Sequence, residues 1–269
     1  MSAAKENKIC LTIAGLDPSG GAGVVADVKT FSAFHCYAAA AITSLTFQNT
    51  QGVFGAEHPS AETVRRQITP VFDDLSVDAV KTGMLPTEEI IRTAASLLTE
   101  NNVRDLVVDP VVRSTSGFDL IDDAALRSLI SELFPLAMIV TPNIPEAERI
   151  AKMEIRCVDD VVIAAGRMRD LGAKNVLIKG GHFEDIASST DYLFIDGELT
   201  ILDAARIRTT STHGTGCTLS AAIAANLALG KDLVDAVNMA KRFVTEAIRT
   251  APNIGHGHSP INQLVKIDQ

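Results

Sequence analysis

Short apolar runs alternate along this chain with longer segments whose apolar residues recur every three or four positions. Residues 9–14 are a compact apolar run that breaks at Gly15, as a buried strand does. Beyond a loop over 15–23, Val24, Val28, Phe31 and Phe34 recur at helical spacing. Residues 38–46 predict a second strand. Ser60 then caps a helix with Val64, Ile68, Val71 and Phe72 on one face. A strand over 77–81 is followed by a helix opening at Thr87, with Glu88 and Glu89 in its first turn, where the helix dipole favours acids. Strands at 105–109, 137–140 and 175–179 continue the rhythm. The helices between them cover 122–133, the segment after Glu146, and 161–171; Leu126, Leu129, Ile130 and Leu133 face inward in the first. Strand and helix in turn predict a parallel sheet with helices on both faces. The rhythm changes late, where 191–195, Asp196-Gly197 and 198–202 read as a hairpin. Helices over 214–229 and 232–250 close the chain, the second striped by Leu233, Ala236, Val237, Ala240, Phe243 and Ala247. No linker, low-complexity tract or internal repeat interrupts this order, which predicts one α/β domain over 1–269.

Composition narrows the partners. Against 24 Lys and Arg stand 33 Asp and Glu, a net charge of −9, which speaks against nucleic acid. Small anions remain open, because helix ends bind them whatever the net charge. The four cysteines (Cys10, Cys36, Cys157 and Cys217) have no Cys-x-x-Cys spacing, which argues against zinc or a disulfide framework and suits a reducing cytosol. Residues 1–8 are polar and the apolar run behind them is too short for a signal peptide. No stretch reaches the roughly 18 apolar residues of a membrane span. A cytoplasmic location is the expectation.

The candidate chemistry gathers where the strands end. In an open parallel sheet, ligands bind beyond the carboxyl ends of the strands. The glycine-rich and polar pieces fall there: 15–23, 48–50, Gly83-Met84, Asp109, 141–146, 179–181 and 212–218. In the last, Thr212-His213-Gly214-Thr215-Gly216-Cys217-Thr218 feeds an Ala- and Leu-rich helix. Its first turn offers unpaired amides and a partial positive charge, suited to phosphate or a developing oxyanion. Cys217 sits in that field, which lowers a thiol from about 8.5 and equips it to take a proton from a hydroxyl. A small residue packed under the helix is the other reading of Cys217. A P-loop is disfavoured, since Gly-x-x-x-x-Gly-Lys-Ser/Thr does not occur. Gly21-Ala22-Gly23 approaches the dinucleotide pattern, yet no acidic residue closes a second strand about twenty residues on.

Residues 14–23 with Ala26-Asp27-Val28-Lys29-Thr30 resemble the signature of the hydroxymethylpyrimidine/phosphomethylpyrimidine kinases of thiamin biosynthesis, ribokinase-like proteins. Gln48-Asn49-Thr50, 81–85, 108–111, 141–146, Lys179-Gly180-Gly181-His182 and 212–218 match in the same order, and 255–260 resembles the closing loop, so the likeness spans essentially the whole chain. It implies a ribokinase-like fold: a central, mostly parallel sheet with helices on both faces and a late hairpin. It also implies transfer of phosphate from ATP, with Mg²⁺, to 4-amino-5-hydroxymethyl-2-methylpyrimidine and then to its monophosphate. A homodimer follows from the resemblance alone.

Carried over residue by residue, the resemblance makes Gly15, Asp27, Gln48, Met84 and Val111 pyrimidine-binding. Lys179, Thr212, Gly214 and Gly216 would face ATP, and Asp109 and Glu146 would serve the metal, which prefers oxygen ligands. Cys217 takes the place of the Asp base of the sugar kinases, with Gly214, Thr215 and Gly216 forming the anion hole beside it. Two departures stand out: Leu16, where Ser or Thr is common, and Val112-Arg113-Ser114-Thr115-Ser116-Gly117, where relatives carry Ala-Lys before Ser-Gly. His256 and His258 read as polar loop residues. A pyridoxine or pyridoxal kinase on the same fold is the nearest rival. A non-catalytic pyrimidine sensor and an NAD-dependent oxidoreductase are the others.

Overall fold

The computed structural model describes residues 7–112, 120–181 and 188–266. Among these, nine strands form one sheet: β1 (Ile9–Leu16), β2 (Tyr37–Asn49), β3 (Gly52–Glu57), β4 (Ala79–Thr82), β5 (Leu106–Val108), β6 (Ile139–Val140), β7 (Val176–Lys179), β8 (Ser188–Ile195) and β9 (Glu198–Ala205). Their spatial order is β3-β2-β1-β4-β5-β6-β7-β8-β9. The strands from β2 across to β7 run parallel, while β3, β8 and β9 pair antiparallel at the two edges. The helices are α1 (Gly23–Ala33), α2 (Ala61–Asp74), α3 (Glu88–Glu100), α4 (Asp123–Ser128), α5 (Ile144–Ala151), α6 (Val158–Asp170), α7 (Thr215–Ala228) and α8 (Leu233–Arg249). No helix among the described residues is long and apolar enough to cross a membrane.

Successive side chains of a strand point to opposite faces, so each central strand feeds two cores. Leu11, Ile13, Leu106, Val108, Val176 and Ile178 pack with α2 to α6. Cys10, Val107 and Leu177 pack with α1, α7 and α8. That double burial is why the strands read as unbroken apolar runs. α7 is buried from Thr218 to Ala228, and its alanines let it lie flat between the sheet and α8. Phe243 of α8 meets Phe34 at 4.9 Å between ring centroids. Truncating such a buried ring to Ala costs about 3–5 kcal/mol.

Three elements differ from the pattern-based expectation. Strand β3 is additional: Gly52 and Gly55 obscure its alternation, and Gly55 lies close under the Phe47 ring, 3.1 Å from where a Cβ would stand. The helix expected over 122–133 holds α geometry only to Ser128. It then widens into a π turn over Leu129–Leu133 and tightens into a 3₁₀ turn over Phe134–Leu136, so Ile130 is only half-buried. Pro135, which has no N–H to donate, lies in that last turn. On α1 the inward face is Val24, Ala26, Asp27, Thr30 and Phe31, with Val28 half-buried. The Asp196-Gly197 turn forms as expected, both residues having positive φ (52° and 91°).

The strand order places the site. β1 lies between β2 and β4, so the chain leaves the β1–β4 boundary in opposite directions and the loops part above it. Such a switch point is where an open α/β sheet receives its ligand.

Candidate active site

A cavity of roughly 1240 Å³ opens above this boundary and extends across the ends of β5 to β7 to the start of α7. One half is walled by Gly15, Gln48, Met84 and Val111. Gly15 ends the straight part of β1; a Cβ there would stand 3.1 Å from Met84 Sδ, so its absence lets the thioether lie against the strand. The Thr43 hydroxyl donates to the Met84 carbonyl at 2.6 Å and fixes that turn. Gln48 follows a bulge at Phe47/Gln48, the device that re-aims a side chain near a strand end. Half-buried Leu16 also lines this half.

Asp27 departs from the role carried over to it. Its carboxylate is wholly buried and does not line the cavity. Oδ2 accepts from Thr12 Oγ1 at 2.6 Å and from Lys81 Nζ at 2.8 Å. Lys81, also wholly buried, does line the cavity. On α1 the Asp27 carboxylate is turned into the sheet, where a buried charge needs a partner and Lys81 supplies it. Burial works against the Lys81 ammonium, but Asp27, with Cys217 and Asp109 behind it, outweighs that and keeps Lys81 protonated.

The other half is built around the start of α7. Gly214 caps the helix at φ +84°, and a Cβ there would fall 1.8 Å from the Gly21 carbonyl oxygen, so only glycine fits. The Thr215 amide donates to the Thr212 carbonyl at 3.3 Å, and the Thr218 amide to that of Gly214 at 2.9 Å. Between them, the amides of Gly216 and Cys217 have no acceptor within the helix, and both residues line the cavity. Gly216 leaves room for Lys179, whose Nζ would lie 3.2 Å from a Cβ there.

Lys179 pairs with Asp109 at 3.0 Å, and Thr141 Oγ1 lies 3.4 Å from the same Asp109 oxygen. Burial works against this ammonium too, and Asp109 and Glu146 outweigh it. Glu146 forms a capping box with Asn143, each side chain accepting from the other's amide, at 2.8 and 2.9 Å. Burial and the neighbouring Asp109 push its carboxyl up to about 7, against the pull of Lys179 and two backbone amides.

Cys217 reverses an expectation. Instead of being lowered at the helix start, its thiol is pushed up to about 11, chiefly by burial, with Asp27 and Asp109 adding to it. Lys81 and the Gly23 amide pull the other way without winning. The dipole of one helix end does not offset the desolvation of a thiolate there.

Every other expected site residue lines this one cavity; Arg113 and His182 lie outside the described residues. Sequence reasoning gave no role to Asp17, Lys81 or His213, all of which line it. The signal for Asp17 was present: Asp-Pro-Ser-Gly is a turn in which an Asp side chain takes the amide two residues on, as the Ser19 amide does here at 2.8 Å. His256 and His258 are exposed, and no group of three His, Cys, Asp or Glu among the described residues is arranged to hold a metal.

A sequence model of the phosphomethylpyrimidine kinase family matches residues 17–262. The hydroxymethylpyrimidine/phosphomethylpyrimidine kinase of Staphylococcus aureus is 41% identical over 96% of this chain and 94% of its own length. A thiamine biosynthesis bifunctional protein of Geobacter sulfurreducens is 46% identical over 95% of this chain, which spans only 52% of that longer protein. Among solved structures, the pyridoxal kinase of Staphylococcus aureus in complex with AMP-PCP and pyridoxal superposes with a TM-score of 0.89 at 33% identity, over 96% of this chain and 94% of that one. The chain thus belongs to the phosphomethylpyrimidine kinase family, as an ATP-using phosphotransferase of thiamine biosynthesis that acts on hydroxymethylpyrimidine and its monophosphate.

Proposed function

We propose that the two halves of the cavity hold the two substrates in line. The pyrimidine lies against Met84 and Val111, with Gly15 beneath it. The Gln48 carboxamide, which both donates and accepts, matches the aminopyrimidine edge. ATP lies along Thr212 and Lys179, its terminal phosphate on the amides of Gly216 and Cys217 below the Gly214–Thr215 turn. Phosphoryl transfer asks mainly for positioning and for neutralisation of charge. Lys179 supplies that charge, and the amide cradle steadies the transferring group. The hydroxymethyl oxygen attacks the terminal phosphorus while the bond to the departing ADP oxygen breaks. The hydroxyl proton passes to the Cys217 sulfur in the small thiolate fraction that Lys81 and the Gly23 amide sustain against burial. In the second transfer a phosphate oxygen is the nucleophile, and no base is needed.

Asp109 and Glu146 fit magnesium. They are two carboxylates held close, and the cost of that crowding shows in the raised Glu146 carboxyl. Bound there, the metal would neutralise phosphate oxygens.

The observation that carries this reading is the Gly214 turn: a cradle of amides that only glycine can form, beside Lys179 and facing Gln48 and Met84 across one cavity. ADP release tests it, measured side by side with hydroxymethylpyrimidine and pyridoxal. Faster turnover of the pyrimidine supports the reading. Faster turnover of pyridoxal would favour the rival that the likeness to the Staphylococcus aureus pyridoxal kinase raises.

The same reading includes one kinase domain over 1–269, working in a reducing cytoplasm that keeps the four thiols free. It is a homodimer that covers the exposed Tyr37, Leu45, Phe47 and Phe54 of β2 and β3.

A further inference from the structure

We infer that Asp17 and His213 form a latch that holds the pyrimidine half of the cavity in register with the phosphate cradle, and that they are positioning residues for the transfer. The inference rests on the reading of the two halves given above. The loops concerned lie 196 residues apart in the chain, yet they meet at the His213 imidazole, whose Nε2 stands 2.7 Å from Asp17 Oδ2. The same carboxylate organises its own loop. Oδ1 accepts from the Ser19 amide at 2.8 Å and the Ser19 hydroxyl at 2.7 Å, and Oδ2 from the Ala22 amide at 2.8 Å and the Gly21 amide at 3.2 Å. At 1% exposure, Asp17 spends its acceptor capacity on one loop and one imidazole. The latch thus fixes the His213 proton on Nε2.

The joint leaves no slack. A Cβ on Gly21 would lie 2.4 Å from His213 Cδ2, and one on Gly214 would lie 1.8 Å from the Gly21 oxygen. Gln263 Nε2 donates to that oxygen at 2.9 Å, a second tie across the same seam. The His213 backbone is pinned in turn, its amide donating to Ser259 and its carbonyl accepting from Ile261. Gly214 is the next residue, so the imidazole and its carboxylate set where the α7 amides stand relative to Gly15 and Leu16. Burial pushes the Asp17 carboxyl up, but the bonds from His213 and Ser19 outweigh it and hold it below the usual range, so the latch carries charge at neutral pH.

Misplacement of reacting groups by about 1 Å costs on the order of a hundredfold in rate. Loss of the latch should therefore fall on kcat and leave binding within each half nearly intact. The test compares His213→Leu with His213→Gln, whose amide still offers Asp17 an N–H. Folding is checked by circular dichroism and thermal midpoint, and kcat and both KM values are measured for the first transfer. The expected result is a kcat loss of about 30-fold or more in His213→Leu, with KM within about threefold, and near wild-type kcat in His213→Gln. Wild-type kcat in His213→Leu would overturn the proposal. Equal impairment of both variants would also overturn it, because it would give the imidazole a chemical role of its own. Should His213→Leu not fold, Gln263→Met removes the second tie and should lower kcat several-fold at constant KM; an effect on KM alone, or none, overturns the latch. Full activity in Gly214→Ala would instead sink the reading of the cavity, a result separate from these.

Discussion

Among the described residues, two Lys–Asp pairs stand at the carboxyl ends of parallel strands, and they do different work. Lys81–Asp27, at 2.8 Å, is sealed: both side chains have zero exposure, and the carboxylate lies behind the cavity wall. Lys179–Asp109, at 3.0 Å, is open, its lysine 14% exposed and both residues in the lining. A sealed pair cannot exchange its partner for a ligand. An open one can turn toward a phosphate at small cost, because the incoming charge replaces the lost partner. The comparison teaches that identical chemistry at equivalent strand ends is divided by burial into a fixed floor and a responsive wall.

Removing one partner from each pair tests the division. Lys81→Met should cost about 3–5 kcal/mol of stability in urea unfolding, since it strands the Asp27 carboxylate, whose Oδ1 already has no hydrogen-bond partner. Adding Asp27→Asn should recover much of that; no recovery would deny that the charge is the cause. Lys179→Met should be mild on stability and severe on catalysis, lowering kcat about 10²-fold or more in steady-state kinetics. A large stability loss with normal turnover would erase the contrast.

Cys217 sits between the pairs. Cys217→Ala should slow the first transfer by about 10- to 100-fold and the second far less, measured by following each phosphorylated product separately. Equal rates for wild type and variant in the first step would remove Cys217 from catalysis.

The open side also titrates. Its raised carboxyl means that folded Glu146 keeps a proton the unfolded chain gives up, so between 4.5 and about 7 its contribution to stability falls as pH rises. Magnesium bound there must displace the same proton. Its activation constant at saturating ATP should therefore rise toward tenfold per unit as pH drops below about 7, and Glu146→Gln should flatten the dependence. The smallest effect belongs to the edge of the sheet: Phe54→Ser should shift sedimentation toward a monomer while leaving kcat within about twofold.

Most of the strand–helix order was legible because doubly buried strands and amphipathic helices leave opposite signatures in the residue pattern. Edge strand β3 was not, since two of its six residues are glycine and neither face is fully buried. The π turn after Ser128 was invisible for a related reason: Leu129 and Leu133 satisfy helical spacing while the backbone widens around them. At the site, Gly214 and Lys179 could be singled out in the sequence because a glycine-rich turn ahead of a helix and a lysine closing a strand are local patterns. Asp27 misled, since nothing in its neighbours tells whether α1 turns it toward ligand or toward sheet. Lys81, its partner, lies 54 residues away and was seen only as part of a motif. The direction of the Cys217 shift depended on how deeply the first turn of α7 is buried, a property of the whole fold.

The most direct test is a crystal structure with hydroxymethylpyrimidine and a non-hydrolysable ATP analogue bound together. The account predicts the terminal phosphate at about 3 Å from the Gly216 and Cys217 amides, with the ring between Met84 and Val111 and its amino edge on Gln48. A terminal phosphate held elsewhere, with those two amides facing solvent, would contradict it.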